Sequence, residues 1–210
     1  AGEHLRVLLA DGSAVTLNAC SELRYPETFA RRRREVRLGQ GEAFFEGAHD
    51  ASAPFTVETD DVSVEVLGTK FNVNAYDKGI TTIYLKEGKV RLTERVTGTQ
   101  NRYLMAPDEL LTVDRNARKC YAGRQTGKST PESWLHNNYT FTNAPLEDVV
   151  SFLERHYAVE IEVADPRILQ YSYTMEFYKE TIDEVLSVMS QITPIRYSRV
   201  NDRITVRAAR

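Results

Sequence analysis

The chain has 210 residues, which suits one or two domains of about 100 to 150 residues each. Its apolar fraction of 41% and charged fraction of 27% are ordinary for a globular protein, so the composition argues against disorder. The formal net charge of -3 argues against a general nucleic-acid binder, and neither a signal-peptide pattern nor a long apolar run for a transmembrane helix is found.

Many short strands separated by turn residues are predicted for an all-β domain at residues 1–113. Asp11-Gly12 is typical of a two-residue hairpin turn, and no helical pattern interrupts the series. This spacing of turns is typical of a sandwich, a barrel or a stacked β-helix-like array. The predicted strands are residues 5–9, 14–17, 23–25, 35–38, 42–46, 55–58, 62–76, 81–85, 89–93, 102–105 and 110–113.

The stretch 62–76 holds two alternating apolar runs of opposite phase. Such runs cannot form one straight strand, because the apolar side chains of one run would then point to the opposite face from those of the other. Gly68 lies between the runs, and we expect it to supply the bend that keeps both apolar faces inward. The apolar members are Val62, Val64 and Val66, followed by Phe71, Val73 and Ala75.

Periodicity disappears at residues 114–133, which we predict to be a linker or mobile loop. Residues 123–129 read GRQTGKS, which superficially resembles a phosphate-binding loop. That motif needs one more residue between its glycines, a buried strand before it and a helix directly after it. The sequence therefore argues against a nucleotide site.

A second domain of strands and helices is predicted at residues 134–210. Pro145 precedes an apolar helical stripe, and Thr181 with Glu184 forms a capping box before a second stripe. The pattern repeats at an offset of 36 residues, with Phe141 corresponding to Phe177. These features predict a small βαβ–βαββ domain whose helices pack on one sheet. Its strands are predicted at residues 139–141, 159–163, 173–177, 195–199 and 203–206.

No constellation for catalysis or metal binding is found, so we predict no enzyme, no cofactor and no metal. A hydrolase is the weakest alternative, because no motif selects a pair of carboxylates. The two cysteines, Cys20 and Cys120, are expected to be separate thiols unless the fold brings them together. Four successive arginines at residues 31–34 are interpreted as a solvated strand edge or loop, with an anion-binding patch as the alternative. The histidines, which lack metal-ligand spacing, are His4, His49, His136 and His156.

Four ordered segments carry a resemblance to a known family: LADGSAVTLNACSELRYP, REVRLGQGEAFFE, VEVLGTKFNVNAY and LKEGKVRLT. They resemble the periplasmic domain of the FecR family, whose members are anti-sigma factors, or sigma regulators, of cell-surface signalling in Gram-negative bacteria. Further on, WLHNNYTFTNAPLEDVVSFLERHYAVEIEV resembles the C-terminal module that follows this domain in Bacteroidetes members. That module is similar to the short N-terminal fold of secretins and TonB-dependent receptors.

The resemblance implies that these residues are the periplasmic part of a single-pass inner-membrane protein. A cytoplasmic segment that binds an extracytoplasmic-function sigma factor, and one transmembrane helix, would then lie outside the sequence. The implied partner is the signalling domain of an outer-membrane TonB-dependent transducer, with no role for nucleic acid. We expect the transducer to add a strand to an exposed sheet edge of the C-terminal module. The candidate contact residues are Tyr173, Met175 and Phe177 on one strand, and Arg203 and Thr205 on another.

Trp134, the only tryptophan, is interpreted as an anchor that buries the start of the second domain. The alternative is that Trp134 or surface tyrosines stack on sugars, which would make the chain a periplasmic glycan-binding module.

Overall fold

The computed structural model describes residues 2–29, 33–77, 79–125 and 130–209. Contacts divide the chain into one unit from His4 to Glu132 and a second unit that begins at Ser133 and also includes Gly2 and Glu3. The first unit is all β, and the second combines helices with strands, which confirms the predicted fold class. Within the described ranges, no helix is both long and apolar enough to cross a lipid bilayer.

The first unit is a curled 12-stranded sheet built around one long strand, β4. β4 pairs in parallel with β5 through one end and antiparallel with β7 through the other, so both halves of the sheet share it. The two halves enclose one apolar core. The strands are β1 (Leu5–Leu8), β2 (Ala14–Leu17), β3 (Glu22–Arg24), β4 (Arg34–Glu46), β5 (Phe55–Glu58), β6 (Val62–Val66), β7 (Lys70–Asp77), β8 (Ile80–Glu87), β9 (Val90–Glu94), β10 (Arg102–Met105), β11 (Glu109–Asp114) and β12 (Lys119–Arg124). The main path of the sheet runs β10-β9-β6-β5-β4-β7-β8-β11-β12.

The change of phase between β6 and β7 is a sharp corner at Gly68, as the sequence predicts. β6 pairs with β5 and β9, whereas β7 pairs with β4 and β8, so the two runs lie in different halves of the sheet. Their apolar side chains nevertheless enter the same core. Gly68 has φ +148°, and a Cβ there would lie 2.7 Å from Nδ1 and 2.9 Å from Cα of His49. The corner therefore requires glycine.

Replacing Gly68 by alanine is expected to lower the free energy of unfolding by about 2 kcal/mol, because the added methyl meets the His49 backbone in a strained conformation. Gly98→Ala is the matched control, since Gly98 has φ +88° but nothing within 4 Å. Its cost should be about 1 kcal/mol, from backbone strain alone. Urea unfolding followed by circular dichroism would measure both, and equal costs would refute a steric role for His49.

The predicted linker at residues 114–133 is wrong over Lys119–Arg124, which form β12 along β11. Most side chains of β12 are exposed, so backbone hydrogen bonds rather than apolar burial hold this edge strand. Such a strand leaves no alternating apolar pattern in the sequence. Of the GRQTGKS segment, Gly123 and Arg124 belong to β12, and residues 126–129 lie outside the described residues.

The second unit contains two α-helices and five strands among its described residues. Its strands form two sheets, β13-β15 and β14-β17-β16, so the predicted single sheet is wrong. The helices contact strands of both sheets and so bury apolar residues on two sides. The predicted capping box of Thr181 and Glu184 is confirmed at the start of α2. The elements are β13 (Tyr139–Pro145), α1 (Leu146–Tyr157), β14 (Glu160–Val163), β15 (Ser172–Phe177), α2 (Ile182–Ile192), β16 (Ile195–Val200) and β17 (Arg203–Ala208), with 3-10 turns at Ser133–His136 and Pro166–Gln170.

Candidate partner-binding surface

Strand β15 has one buried and one exposed face. Tyr173 is 0% exposed and Phe177 is 5% exposed, while Met175 between them is half-buried. Tyr173 and Phe177 therefore belong to the core. Contrary to the prediction from the sequence, their side chains are not available to a partner. The alternate residues Ser172, Thr174 and Glu176 are exposed and polar, so any partner meets the backbone of β15 and this polar face.

Strand β17, the second predicted edge, is the central strand of its sheet. It pairs in parallel with β14 and antiparallel with β16, so both of its edges are occupied. The exposed Arg203 forms an ion pair with Glu160, at 2.9 Å from Nε to Oε2, and Thr205 is half-buried. Because the last strand of the chain inserts between two earlier ones, β17 offers no free edge for strand addition, and of the two predicted strands only β15 lies at a sheet edge.

The outer edge of β15 is open. β15 pairs only with β13 among the described residues. The amide of Leu146 donates to the carbonyl of Tyr171 at 2.9 Å, so the backbone groups of the odd-numbered residues point toward β13. Since backbone groups alternate along a strand, those of Ser172, Thr174 and Glu176 point to the outer edge. This edge can accept hydrogen bonds from, and donate them to, an added strand.

Strand β13, at the other edge of the same sheet, is less suited to strand addition. Its register shifts between Phe141 and Ala144, Asn143 has φ +49°, and Pro145 ends the strand. Bulges and prolines are common devices that protect sheet edges from pairing. β15 has neither over its six residues, which makes it the more accessible edge of the pair.

Helix α2 has an exposed apolar flank on the side away from β16. Val188 and Ile192 are each 44% exposed. The opposite flank faces β16, since Asp183 Oδ2 lies 2.7 Å from Arg199 Nη1. At about 100° per residue, Val188 and Ile192 lie roughly 140° to 180° around the helix from Asp183. They are thus on the flank away from β16. The Tyr173 hydroxyl lies 2.6 Å from Thr193 Oγ1, so the end of α2 adjoins the start of β15.

The surface formed by Ser172, Thr174 and Glu176 is named the β15 edge surface. Beyond its β15 end, Glu180 accepts hydrogen bonds from the amides of Tyr178 and Lys179, and these bonds lower the pKa of its carboxyl. Glu180 is therefore ionised at neutral pH. The surface combines free backbone groups with exposed polar side chains, among them the carboxylate of Glu176, which fits an extended partner segment.

Other predicted candidates have structural roles. Trp134 is only 4% exposed, so it cannot serve as a stacking platform for sugars. Arg34 is buried in an ion pair with Asp11, contrary to the predicted solvated edge, whereas Arg33 is exposed. Residues 31 and 32 lie outside the described residues. Cys20 and Cys120 are separate free thiols.

Sequence reasoning missed a polar cleft of about 230 Å³ in the first unit. Its central group is the buried carboxylate of Asp61, whose oxygens lie 2.6 Å from Arg115 Nε and 2.7 Å from Thr81 Oγ1. Both oxygens have partners within the unit, so Asp61 joins turns of the fold and leaves no carboxylate free for a ligand. The cleft is lined from several separate turns, and no local sequence pattern signals it.

Comparisons with known proteins agree along the whole chain. The family model described as "FecR protein" matches residues 1–91, and the model described as "FecR, C-terminal" matches residues 138–206. Crystal structures of a "putative anti-sigma factor" from Parabacteroides distasonis ATCC 8503, at 1.65 and 2.50 Å resolution, are similar to this chain with 30% identity and a TM-score of 0.86. In both, the match covers 100% of this chain and 96% of the other. The comparison with curated proteins gives no match.

Proposed function

The chain belongs to the FecR family and is an anti-sigma regulator, and from this premise we propose that it is the periplasmic sensor and signal-relay part of a single-pass inner-membrane protein. The observation that carries the proposal is the full-length similarity to an anti-sigma factor, with the two FecR models matching in order. This family is a regulatory, non-enzymatic kind of protein.

In the proposed relay, the signalling domain of an outer-membrane TonB-dependent transducer binds the β15 edge surface. An added strand hydrogen-bonds to the backbone of Ser172, Thr174 and Glu176. The signal then passes through a transmembrane helix to a cytoplasmic segment that controls an extracytoplasmic-function sigma factor. Binding can transmit a signal only if the partner prefers one conformation of the regulator over another.

Replacing Thr174 by proline is expected to weaken transducer binding by at least about tenfold, or about 1.4 kcal/mol. The Thr174 amide points to the open edge, so proline removes a donor that an added strand needs and leaves the pairing with β13 intact. Isothermal titration of this chain with the signalling domain of the transducer encoded nearest to it measures the affinity.

Thr174→Ala is the matched control. It removes the same hydroxyl, which accepts a hydrogen bond from the Asn143 amide at 2.9 Å, but it keeps the backbone donor. The alanine variant should bind like the wild type. If both variants bind equally, or if the folded wild type does not bind, the placement of the contact on β15 is refuted.

A further inference from the structure

The first residues of the chain pack with its last domain. Gly2 and Glu3 belong to the second unit, although β1 of the first unit starts at Leu5. Gly2 has φ +64°, and a Cβ there would lie 2.7 Å from Cε1 and 3.1 Å from Nδ1 of the His156 ring. Only a residue without a side chain can lie this close to the ring in this conformation.

The ring of His156 is held in place by three other aromatic side chains. It stacks on Phe152 with a centroid distance of 5.3 Å and an interplanar angle of 16°. Tyr139 and Tyr157 each contact it edge-on, with centroid distances of 4.6 Å. Aromatic rings packed in these arrangements stabilise one another, so the surface that Gly2 contacts is preformed.

The same cluster of rings reaches β15. Tyr139, which contacts His156, also contacts Phe177 of β15 with a centroid distance of 5.3 Å. Phe141 joins Phe152 to Phe177 through a second route, with centroid distances of 5.3 and 6.0 Å. Packed side chains therefore connect the strand that carries the open edge to the contact at Gly2.

We propose that Gly2 forms a clasp on His156, through which α1 holds the first residues of the chain within the second unit. The clasp is closed while Phe152, Tyr139 and Tyr157 hold the His156 ring in place, and it opens when that ring shifts. Its meaning for signalling rests on the proposed function, because a partner bound to β15 would act on Phe177, Tyr139 and then His156. The clasp itself requires no partner, so it can be tested separately.

The test is ¹⁵N relaxation of the Gly2 and Glu3 amides in this chain. A closed clasp predicts wild-type order parameters above about 0.6, with a fall below about 0.6 in Gly2→Val and in His156→Ala. Gly2→Val adds a side chain that meets the ring, and His156→Ala removes the ring. Glu3→Val is the matched control, because Glu3 is exposed, and it should leave the Gly2 amide ordered.

Phe141→Ala is a second control, which disturbs the aromatic cluster without removing a ring contact of His156. It separates loss of the clasp from general loosening of the domain, since Gly2 should stay ordered. Wild-type order parameters below about 0.6 at Gly2 would overturn the proposal. So would an ordered Gly2 amide in both Gly2→Val and His156→Ala. Neither result depends on whether a transducer binds β15.

Discussion

Replacing Arg34 by methionine is expected to lower the free energy of unfolding by about 3 to 5 kcal/mol, the range for breaking a buried ion pair. The Arg34 side chain is 5% exposed, and its Nε lies 2.7 Å from Oδ2 of Asp11, which is 7% exposed. Its two terminal nitrogens donate to the carbonyls of Ala53 and Ala48, each at 2.6 Å. The substitution leaves one buried carboxylate and two carbonyls without these partners.

The Asp11 carboxyl reports on the same interaction. Burial raises its pKa, but hydrogen bonds from Ser13 and Arg34 outweigh burial, so the net pKa is lowered. A lowered folded-state pKa contributes stability above the unfolded-state value, and this stability is lost as the pH falls. We expect Arg34→Met to destabilise the protein most at neutral pH and less under acidic conditions.

Arg33→Met is the matched control, because the neighbouring arginine is exposed and its ion pair with Glu35 is long, at 3.4 Å. Exposed pairs contribute little, so this variant should change the free energy of unfolding by less than about 0.5 kcal/mol. Urea unfolding at neutral pH would measure both variants. Similar costs for the two substitutions would contradict the structural role assigned to Arg34.

Arg34 also shows where sequence reasoning stops. It is the last of four arginines in a row, and no local pattern distinguishes a buried one from exposed neighbours. Its burial depends on Asp11, which lies 23 positions earlier and meets it only in the folded chain. By contrast, the corner at Gly68 could be predicted, since the phase change and the glycine are adjacent in the sequence.

Only part of the candidate binding surface could be predicted, because local signals are visible in the sequence and contacts between distant residues are not. Alternation identifies β15 as a strand, and apolar stripes identify both helices, because these signals are local. Which strands pair is decided by contacts distant in the sequence. The sequence therefore did not reveal that β17 lies centrally or that the outer edge of β15 stays open.

Replacing Glu94 by glutamine is expected to lower the free energy of unfolding at neutral pH by about 2 to 3 kcal/mol. Glu94 is 0% exposed and closes the loop between β9 and β10. Its carboxylate accepts hydrogen bonds from the backbone amides of Val96, Thr97 and Asn101 at 2.8, 2.9 and 3.1 Å. It also accepts one from the hydroxyl of Thr97. Glutamine keeps one acceptor oxygen but replaces the other with an NH2 group. This group is a donor and would face the N–H and O–H donors of the loop.

The pH dependence has a defined sign. Burial raises the pKa of Glu94, but the hydrogen bonds from Thr97, Val96 and Asn101 lower it to about 2, from an ordinary value of 4.5. The stabilisation is complete above pH 4.5 and is lost as the pH falls toward 2. Because residues 98–100 of the loop are exposed, solvent screens the charge, and we expect a wild-type loss of about 2 kcal/mol over this window.

Urea unfolding of wild type and Glu94→Gln from pH 7 to about 2.5 measures the free energy of unfolding of each. The difference between the two free energies should narrow as the pH falls. Glu65→Gln is the control, since Glu65 forms only a partly exposed ion pair with Arg91, at 2.7 Å. It should cost less than about 0.5 kcal/mol at neutral pH. A gap between wild type and Glu94→Gln that stays constant with pH would show that the carboxylate is not held ionised by its loop.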